Sequence, residues 1–256
     1  MIKWAVLSSG SCGNCYVFYD GKDSILIDMG LTFTALTLRL ASFDIPLESV
    51  RGCFVTHLHP DHSKSLGVLS RKLGVPIYIS SMAVDAEPRI MARLNIKAEL
   101  LHRFEFNQVE ELFSFHLTPF RTTHDSVGSC GYVIAHPLKN FFVLTDTGTW
   151  NEEMVSCMQH SDVLFIESNY DKDLLIKGAY PWPLKKRIMG EYGHLSNTDA
   201  MNLLNTANIH YKMVYFIHLS NNNNTVDLVS ECAATLLSKD ISYVVCERGQ
   251  SYGGLN

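Results

Sequence analysis

No stretch of this 256-residue chain approaches the roughly 18 consecutive apolar residues of a membrane-spanning helix, and no membrane role is expected. The opening run Met1–Ser8 is too short and too quickly followed by a Gly/Ser/Cys turn to read as a signal peptide. Basic residues are not in excess. Lys and Arg number 21 against 26 Asp and Glu, a net charge of −5, so overall charge gives no reason to expect nucleic acid, although a local basic patch could still serve. The seven cysteines are an odd number scattered through the chain, which excludes a disulfide framework; read as reduced, they point to a cytoplasmic protein. Cys12 and Cys15 form a C-x-x-C, but no second pair completes a zinc site. They also lie between two strands rather than at a helix start, which argues against a redox role. Low-complexity segments and Pro/Gly/Ser-rich linkers are missing as well, so residues 1–256 are read as one domain.

What is present begins with β-rich runs at 2–8, Cys15–Tyr19 and Ser24–Asp28, joined by hairpin-like turns. Leu31–Phe43 carries apolar residues at helical spacing, and Val50–Thr56 reads as a buried strand. A helix over Ser63–Leu73 stopped by Gly74, a strand at Val75–Ile79 and a helix over Met82–Leu94 complete the first half. The second half repeats the scheme. Strands at 112–119, 131–136, 140–145, 163–167, 213–217 and 242–246 are interleaved with helices at 151–159, 197–207 and 225–238. Antiparallel strands followed by α/β alternation, twice over, predict an α/β protein of two mixed sheets packed face to face with helices outside.

The chemistry concentrates in Thr56-His57-Leu58-His59-Pro60-Asp61-His62, an H-x-H-x-D-H directly after a strand. Three imidazoles and a carboxylate within six residues are ligands suited to zinc, manganese or iron. Alternate residues His57 and His59 can point to one ion. Asp61 and His62, where the chain turns into a helix, can point to another. Further along, His124, Asp146 and His218 each follow an apolar strand, where side chains can converge on one edge of a sandwich.

This ordered set resembles the metallo-β-lactamase superfamily. The resemblance implies its four-layer αβ/βα sandwich and gives Asp28, after Ile25-Leu26-Ile27, the part of a buttress to the metal loop. It also implies two divalent ions, the first held by His57, His59 and His124 and the second by Asp61, His62 and His218. Asp146 would be shared between them, and Asp61 would count among the catalytic groups. A bridging aspartate favours two close ions that activate water and clamp a phosphoryl group, which points to a phosphoester rather than a β-lactam.

A closer similarity, to the YycJ (WalJ) family linked to DNA exonuclease activity, rests on three segments. They are Ser9-Gly10-Ser11-Cys12-Gly13-Asn14, Phe165-Ile166-Glu167-Ser168-Asn169-Tyr170-Asp171, and Tyr180-Pro181-Trp182-Pro183-Leu184-Lys185-Lys186-Arg187-Ile188 leading to Gly193-His194-Leu195-Ser196-Asn197. In the first, Cys12 and Cys15 stand where serine is more usual in that family. His194 is expected to face the substrate phosphate from a helix N-terminus as a catalytic group. Lys185, Lys186 and Arg187, the one dense basic run, would hold a phosphate backbone beside a stacking Trp182, with Asn14 also among the substrate contacts. Glu167, Asn169 and Asp171 are expected to organise a loop, and Asp125 to partner a ligand histidine. His102, His116, His136, His160 and His210 have no motif around them and are read as structural or surface residues. The resulting expectation is a two-metal phosphodiesterase acting on DNA from a 5′ end. A small-molecule or cyclic-nucleotide phosphodiesterase, a thioester or lactone hydrolase, and a non-enzymatic metal-supported binding protein are the alternatives.

Overall fold

Alternation along the strands sorts side chains into separate layers. In β1 (Lys3–Ser8), Trp4 and Val6 point to one face while Ala5 and Leu7 point to the other, and all four are buried. Strands covered on both faces must lie between two apolar layers. In the computed structural model, which describes residues 1–209 and 212–255, this pattern recurs in β2 (Cys15–Tyr19), β3 (Ser24–Ile27) and β4 (Val50–Phe54). It recurs again in β10 (Phe141–Leu144), β11 (Val163–Glu167) and β12 (Met213–Ile217). His210 lies outside the described residues.

With β5 (Ile77–Ser80), β6 (Leu101–Phe104) and β14 (Tyr252–Leu255), the first group forms a seven-stranded sheet ordered β14-β1-β2-β3-β4-β5-β6. The second sheet adds β7 (Glu110–Leu112), β8 (Phe115–Arg121), β9 (Cys130–Ala135) and β13 (Ser242–Val245), in the order β13-β12-β11-β10-β9-β8-β7. Each sheet is antiparallel over one part and parallel over the other, the switch falling at β3 in the first and at β10 in the second. The two-sheet sandwich expected from the sequence is therefore the architecture observed.

The central layer is rich in aromatics. Phe18 of the first sheet meets Phe141 and Phe165 of the second edge-to-face, with centroids 4.8 and 5.6 Å apart, and the Trp4 indole donates to the Tyr215 hydroxyl at 3.2 Å. Outside the first sheet pack α1 (Phe33–Ala41), α2 (Pro60–Ser63), α3 (Leu66–Leu73), α4 (Ser81–Ala86) and α5 (Pro88–Leu94). The second sheet is accompanied by α6 (Glu152–Gln159), α7 (Lys172–Lys177), α8 (Trp182–Met189), α9 (Asn197–Thr206) and α10 (Val226–Leu236). Among the described residues no helix is long and apolar enough to cross a membrane.

Several boundaries differ from the sequence reading. The helix expected over Met82–Leu94 is two, because Pro88 lacks an N–H and forces Glu87 out of the helical region (φ −120°, ψ 51°). The strand expected at 112–119 is a hairpin of β7 and β8, with Phe113 at φ 56° between them. Two edge strands went unanticipated. In β6, His102 and Arg103 are exposed and mask the strand pattern; in β14, Gly253 and Gly254 lie flat on the Phe43 and Trp4 rings, where a Cβ would overlap.

The central layer sets the stability test. Phe165→Ala should cost about 3–5 kcal/mol in urea denaturation. Leu38→Ala, at an exposed position of α1, should stay within about 0.5 kcal/mol. Equal losses would mean the aromatic layer does not dominate.

Candidate metal centre

The site forms where the strands run out. Asp28 follows β3, His57 stands three residues beyond β4, and His124 three beyond β8; Asp146 and His218 follow β10 and β12, and Glu167 ends β11. Carboxyl ends of strands from both sheets thus meet at one edge of the sandwich, where open α/β sheets place ligands. Asp28, Asp146 and His218 have positive φ (62°, 52° and 59°), a turn that swings each side chain off its strand. Left-handed backbone costs roughly 1–2 kcal/mol per non-glycine residue, so these positions hold only because their side chains are fixed by neighbours.

The histidine loop is stitched into place by main chain. Asn14 N donates to Asp61 O at 2.7 Å, Met29 N to His62 O at 2.7 Å, and Gly30 N to Asn14 O at 2.9 Å. Gly30 is required there, since a Cβ would overlap the Asp61 carbonyl. Asp28, fully buried, accepts from Thr56 N and Thr56 Oγ1, both at 2.8 Å, and from His62 Nδ1 at 2.6 Å. This leaves His62 Nε2 directed at the cluster, the arrangement of a ligand imidazole held by a carboxylate behind it.

The potential ligand atoms are spaced as coordination polyhedra require. A tetrahedral ion with bonds of 2.0–2.1 Å separates its ligand atoms by about 3.4 Å. His59 Nδ1 and His124 Nε2 are 3.4 Å apart, and His124 Nε2 lies 3.7 Å from Asp146 Oδ1. On the other side His62 Nε2 is 3.3 Å from Asp146 Oδ2 and 3.6 Å from Asp61 Oδ2, and His218 Nε2 is also 3.6 Å from Asp61 Oδ2. His57, His59 and His124 form one group capable of holding a metal, and Asp61, His62 and His218 another. Asp146 lies between the two, with Oδ2 toward His62 and Oδ1 toward His124 and also 3.6 Å from His218 Nδ1. His57 Nε2 and His218 Nε2 are buried and hydrogen-bonded to nothing. An unsatisfied buried polar group costs about 1–3 kcal/mol, and each of these two belongs to a group of residues able to hold a cation. The residues present therefore fit divalent metal.

Charge supports this. Burial, together with the neighbouring His62, keeps His57 well below the usual imidazole range, hence neutral and able to ligate. Burial pushes Asp146 up, but His218, His62 and His57 together drive it well below the usual carboxylate range. Burial pulls His62 down, yet Asp146 and Asp28 raise it to about 10: the carboxylates draw a proton to a place suited to a metal's charge.

Glu167 does more than the loop-organising part expected of it. Fully buried, its Oε1 accepts from His194 Nδ1 and His218 Nδ1, both at 2.8 Å, and its Oε2 from Thr147 N at 3.2 Å and Leu195 N at 3.1 Å. Burial raises its carboxyl, but His194 and His218 bring it down to about 2. It turns the Nε2 atoms of both rings toward the cavity. The one sequence signal was its position as the last residue of an otherwise apolar strand, Val163–Glu167. Asn169 Nδ2 donates to the His218 carbonyl at 2.9 Å, Asp171 caps α7, and Asp125 Oδ1 stands 3.6 Å from His59 Nε2.

The expected substrate contacts divide. Lys185 is buried, its ammonium donating to the carbonyls of Ile176 at 2.6 Å and Gly178 at 2.7 Å, so it is withdrawn from the phosphate-holding role. Arg187 lines the cavity but is paired with Asp125 at 2.5 Å, and exposed Lys186 rests 5.9 Å over the exposed Trp182 ring. Asn14 is fully buried and packs behind the ligands, with Nδ2 2.9 Å from His62 Nε2 and 3.3 Å from Asp61 Oδ2; it braces the loop and cannot meet substrate. His194 lines the cavity, though not from a free helix end: Asn197 N is taken by Tyr170 O and Asp199 N by Ser196 Oγ. The loop before α9 delivers it instead. His102, His116 and His160 are exposed, and His136 packs at a tilt against Phe115. All seven cysteines are free thiols, Cys15 buried and Cys12 exposed.

Residues 23–219 match the family described as Beta-lactamase superfamily domain. The chain is 33% identical over 227 residues to exodeoxyribonuclease WalJ of Streptococcus pneumoniae, covering 88% of this chain and 84% of that protein. It is 29% identical over 239 residues to exodeoxyribonuclease YycJ of Bacillus anthracis, covering 93% and 90%. The metallo-β-lactamase fold protein YhfI from Bacillus subtilis superposes with a TM-score of 0.73 over 99% of both chains, at 18% identity.

Removing the carboxylate that orients two rings should weaken the centre. Glu167→Ala is expected to lower transition-metal affinity about 10–100-fold in competition with a chromophoric chelator, as loss of such partners does elsewhere. Asp171→Ala, which removes only the α7 cap, should leave affinity unchanged. Equal affinity for wild type and Glu167→Ala would show that Glu167 does not orient a ligand.

Proposed function

The protein belongs to the β-lactamase superfamily, and from that premise we propose a two-metal phosphodiesterase that degrades DNA from a 5′ end. It is a metal-dependent hydrolase. The observation that carries the two-metal reading is Asp146, whose Oδ1 faces His124 of one ligand group while its Oδ2 faces His62 of the other. DNA as substrate is supported by relatives named exodeoxyribonucleases, matched over 84% and 90% of their length. Residues 1–256 are read as one functional unit, since both sheets contribute to the same centre, and the seven free thiols fit a cytoplasmic setting.

His57, His59 and His124 would hold one ion and Asp61, His62 and His218 the other, with Asp146 between; zinc and manganese suit these donors, and iron is compatible. Bound there, the ions would supply Lewis acidity and neutralise charge on the phosphoryl group. The chain does the rest. The cavity of about 480 Å³ admits a phosphodiester against His59, Asp61, His124 and His218. Asp61, more accessible than Asp146 and on the cavity wall, orients the reacting group. Glu167 locks His194 with Nδ1–H bound, leaving Nε2 as the atom that meets the leaving oxygen, where it stabilises charge or passes a proton. Tyr180, on the cavity wall and hydrogen-bonded through its hydroxyl to Asn222, offers a ring face to a base.

Purified protein should contain close to two transition-metal ions per chain, falling to about one or fewer in Asp146→Ala by elemental analysis. His194→Ala should keep its metal yet lose about 100-fold or more in turnover of 5′-end-labelled DNA. Metal loss in His194→Ala would make that residue a ligand. Intact DNA ends beside rapid cleavage of bis-p-nitrophenyl phosphate would overturn the nuclease reading in favour of a small-molecule phosphodiesterase.

A further inference from the structure

The metal cavity does not end at the metals. A second cavity, of about 670 Å³, adjoins it, and the two share Leu219, Ser220, Asn221 and Arg248. Arg248 stands at the junction. It makes no ion pair or hydrogen bond among the described residues, whereas in α8 Lys185 is spent on carbonyls, Arg187 on Asp125, and Lys186 rests over Trp182. Its stem lies on Gly10, whose φ of 100° and close approach to Arg248 Cγ suit only glycine. The turn that follows is pinned from behind: Arg39 donates to the Gly249 carbonyl at 2.7 Å and to Ser251 Oγ at 3.0 Å. An unpaired guanidinium on a fixed backbone, opening onto the metal cavity and its neighbour, is prepared for an anion that spans both.

We propose that Arg248 clamps the phosphate next to the scissile one and that the second cavity seats the adjoining nucleoside, so that the strand leaves the metal centre through this groove and not across α8. The proposal rests on the nuclease reading and adds the substrate's path to it. A nucleic acid strand carries a phosphate at every nucleotide, and a cation beside the metal cavity suits the next one along. The lining of the second cavity fits a nucleoside better than another phosphate. Asp227 and Glu247 would repel an anion but can accept hydrogen bonds from the exocyclic amino groups of bases, and Val226 gives an apolar surface for the sugar or ring. Arginine's planar fork suits a phosphodiester, which offers two non-bridging oxygens.

The test compares holoenzymes of wild type, Arg248→Ala, Arg248→Lys and Lys186→Ala. For a single-stranded oligodeoxynucleotide, Arg248→Ala should raise KM roughly tenfold with little change in kcat, and should flatten the salt dependence of KM by about one phosphate contact. Arg248→Lys should recover part of the loss, and Lys186→Ala should change KM less than twofold. A second arm needs no DNA cleavage: a 5′-phosphorylated deoxydinucleotide should inhibit bis-p-nitrophenyl phosphate hydrolysis more strongly than a mononucleotide in wild type, and the advantage should vanish in Arg248→Ala. If wild type cleaves DNA but Arg248→Ala keeps its KM, the path is wrong while the nuclease reading stands. If wild type cleaves no DNA, that reading fails, and the inhibition arm decides the subsite: a dinucleotide advantage that Arg248→Ala abolishes supports it. An advantage absent from wild type, or equal in both proteins, overturns it.

Discussion

A buried carboxylate that accepts an imidazole N–H fixes the ring's tautomer and its rotation together, and the low dielectric around it strengthens the bond. The metal centre uses this device twice, once from each sheet. Asp28 at the end of β3 holds His62, and Glu167 at the end of β11 holds His218 and His194. Both carboxylates are fully buried. Without them the rings would be free to rotate, and the Nε2 atoms facing the cluster would no longer stand at coordination distance from Asp61 and Asp146.

The rest of the molecule serves to bring these strand ends together. Aromatic packing between the sheets sets their separation, and Cys130 N donating to Thr56 O at 2.9 Å and the Tyr132 hydroxyl to Val55 O at 2.6 Å tie the second sheet to the root of the histidine loop. The cluster itself opposes folding. Three residues sit in left-handed backbone, two ring nitrogens are unsatisfied, and four carboxylates crowd among imidazoles. Metal binding to the folded chain offsets such costs, so metal affinity and stability are linked here.

The positive charge near the site is divided by task. Lys185 closes the loop after α7, Arg39 closes the turn at 249–251, and Arg187 anchors Asp125 beside His59. These cations organise backbone and side chains around the cavity, and Arg248 is left to face it. Two of the three cations in the dense basic run are thus committed to the protein's own carbonyls and carboxylate, whereas Arg248 makes no ion pair or hydrogen bond among the described residues.

What the sequence by itself determined was the ligand chemistry and the architecture. H-x-H-x-D-H after a strand places its donors through local geometry alone, and strands buried on both faces betray themselves by unbroken hydrophobicity, as in Phe141–Leu144 and Val163–Ile166. The distant candidate ligands His124, Asp146 and His218 were legible from their order after that motif, each following an apolar strand. Glu167 ends one too, but a lone carboxylate there reads equally as a loop residue until its two histidine partners, 27 and 51 residues away, are seen beside it. Only the tertiary structure decided which polar groups line the cavity. Burial and pairing are non-local: Asn14 disappeared behind the ligands, Lys185 turned to carbonyls seven and nine residues back, and Arg248, without any motif around it, came to stand between the two cavities.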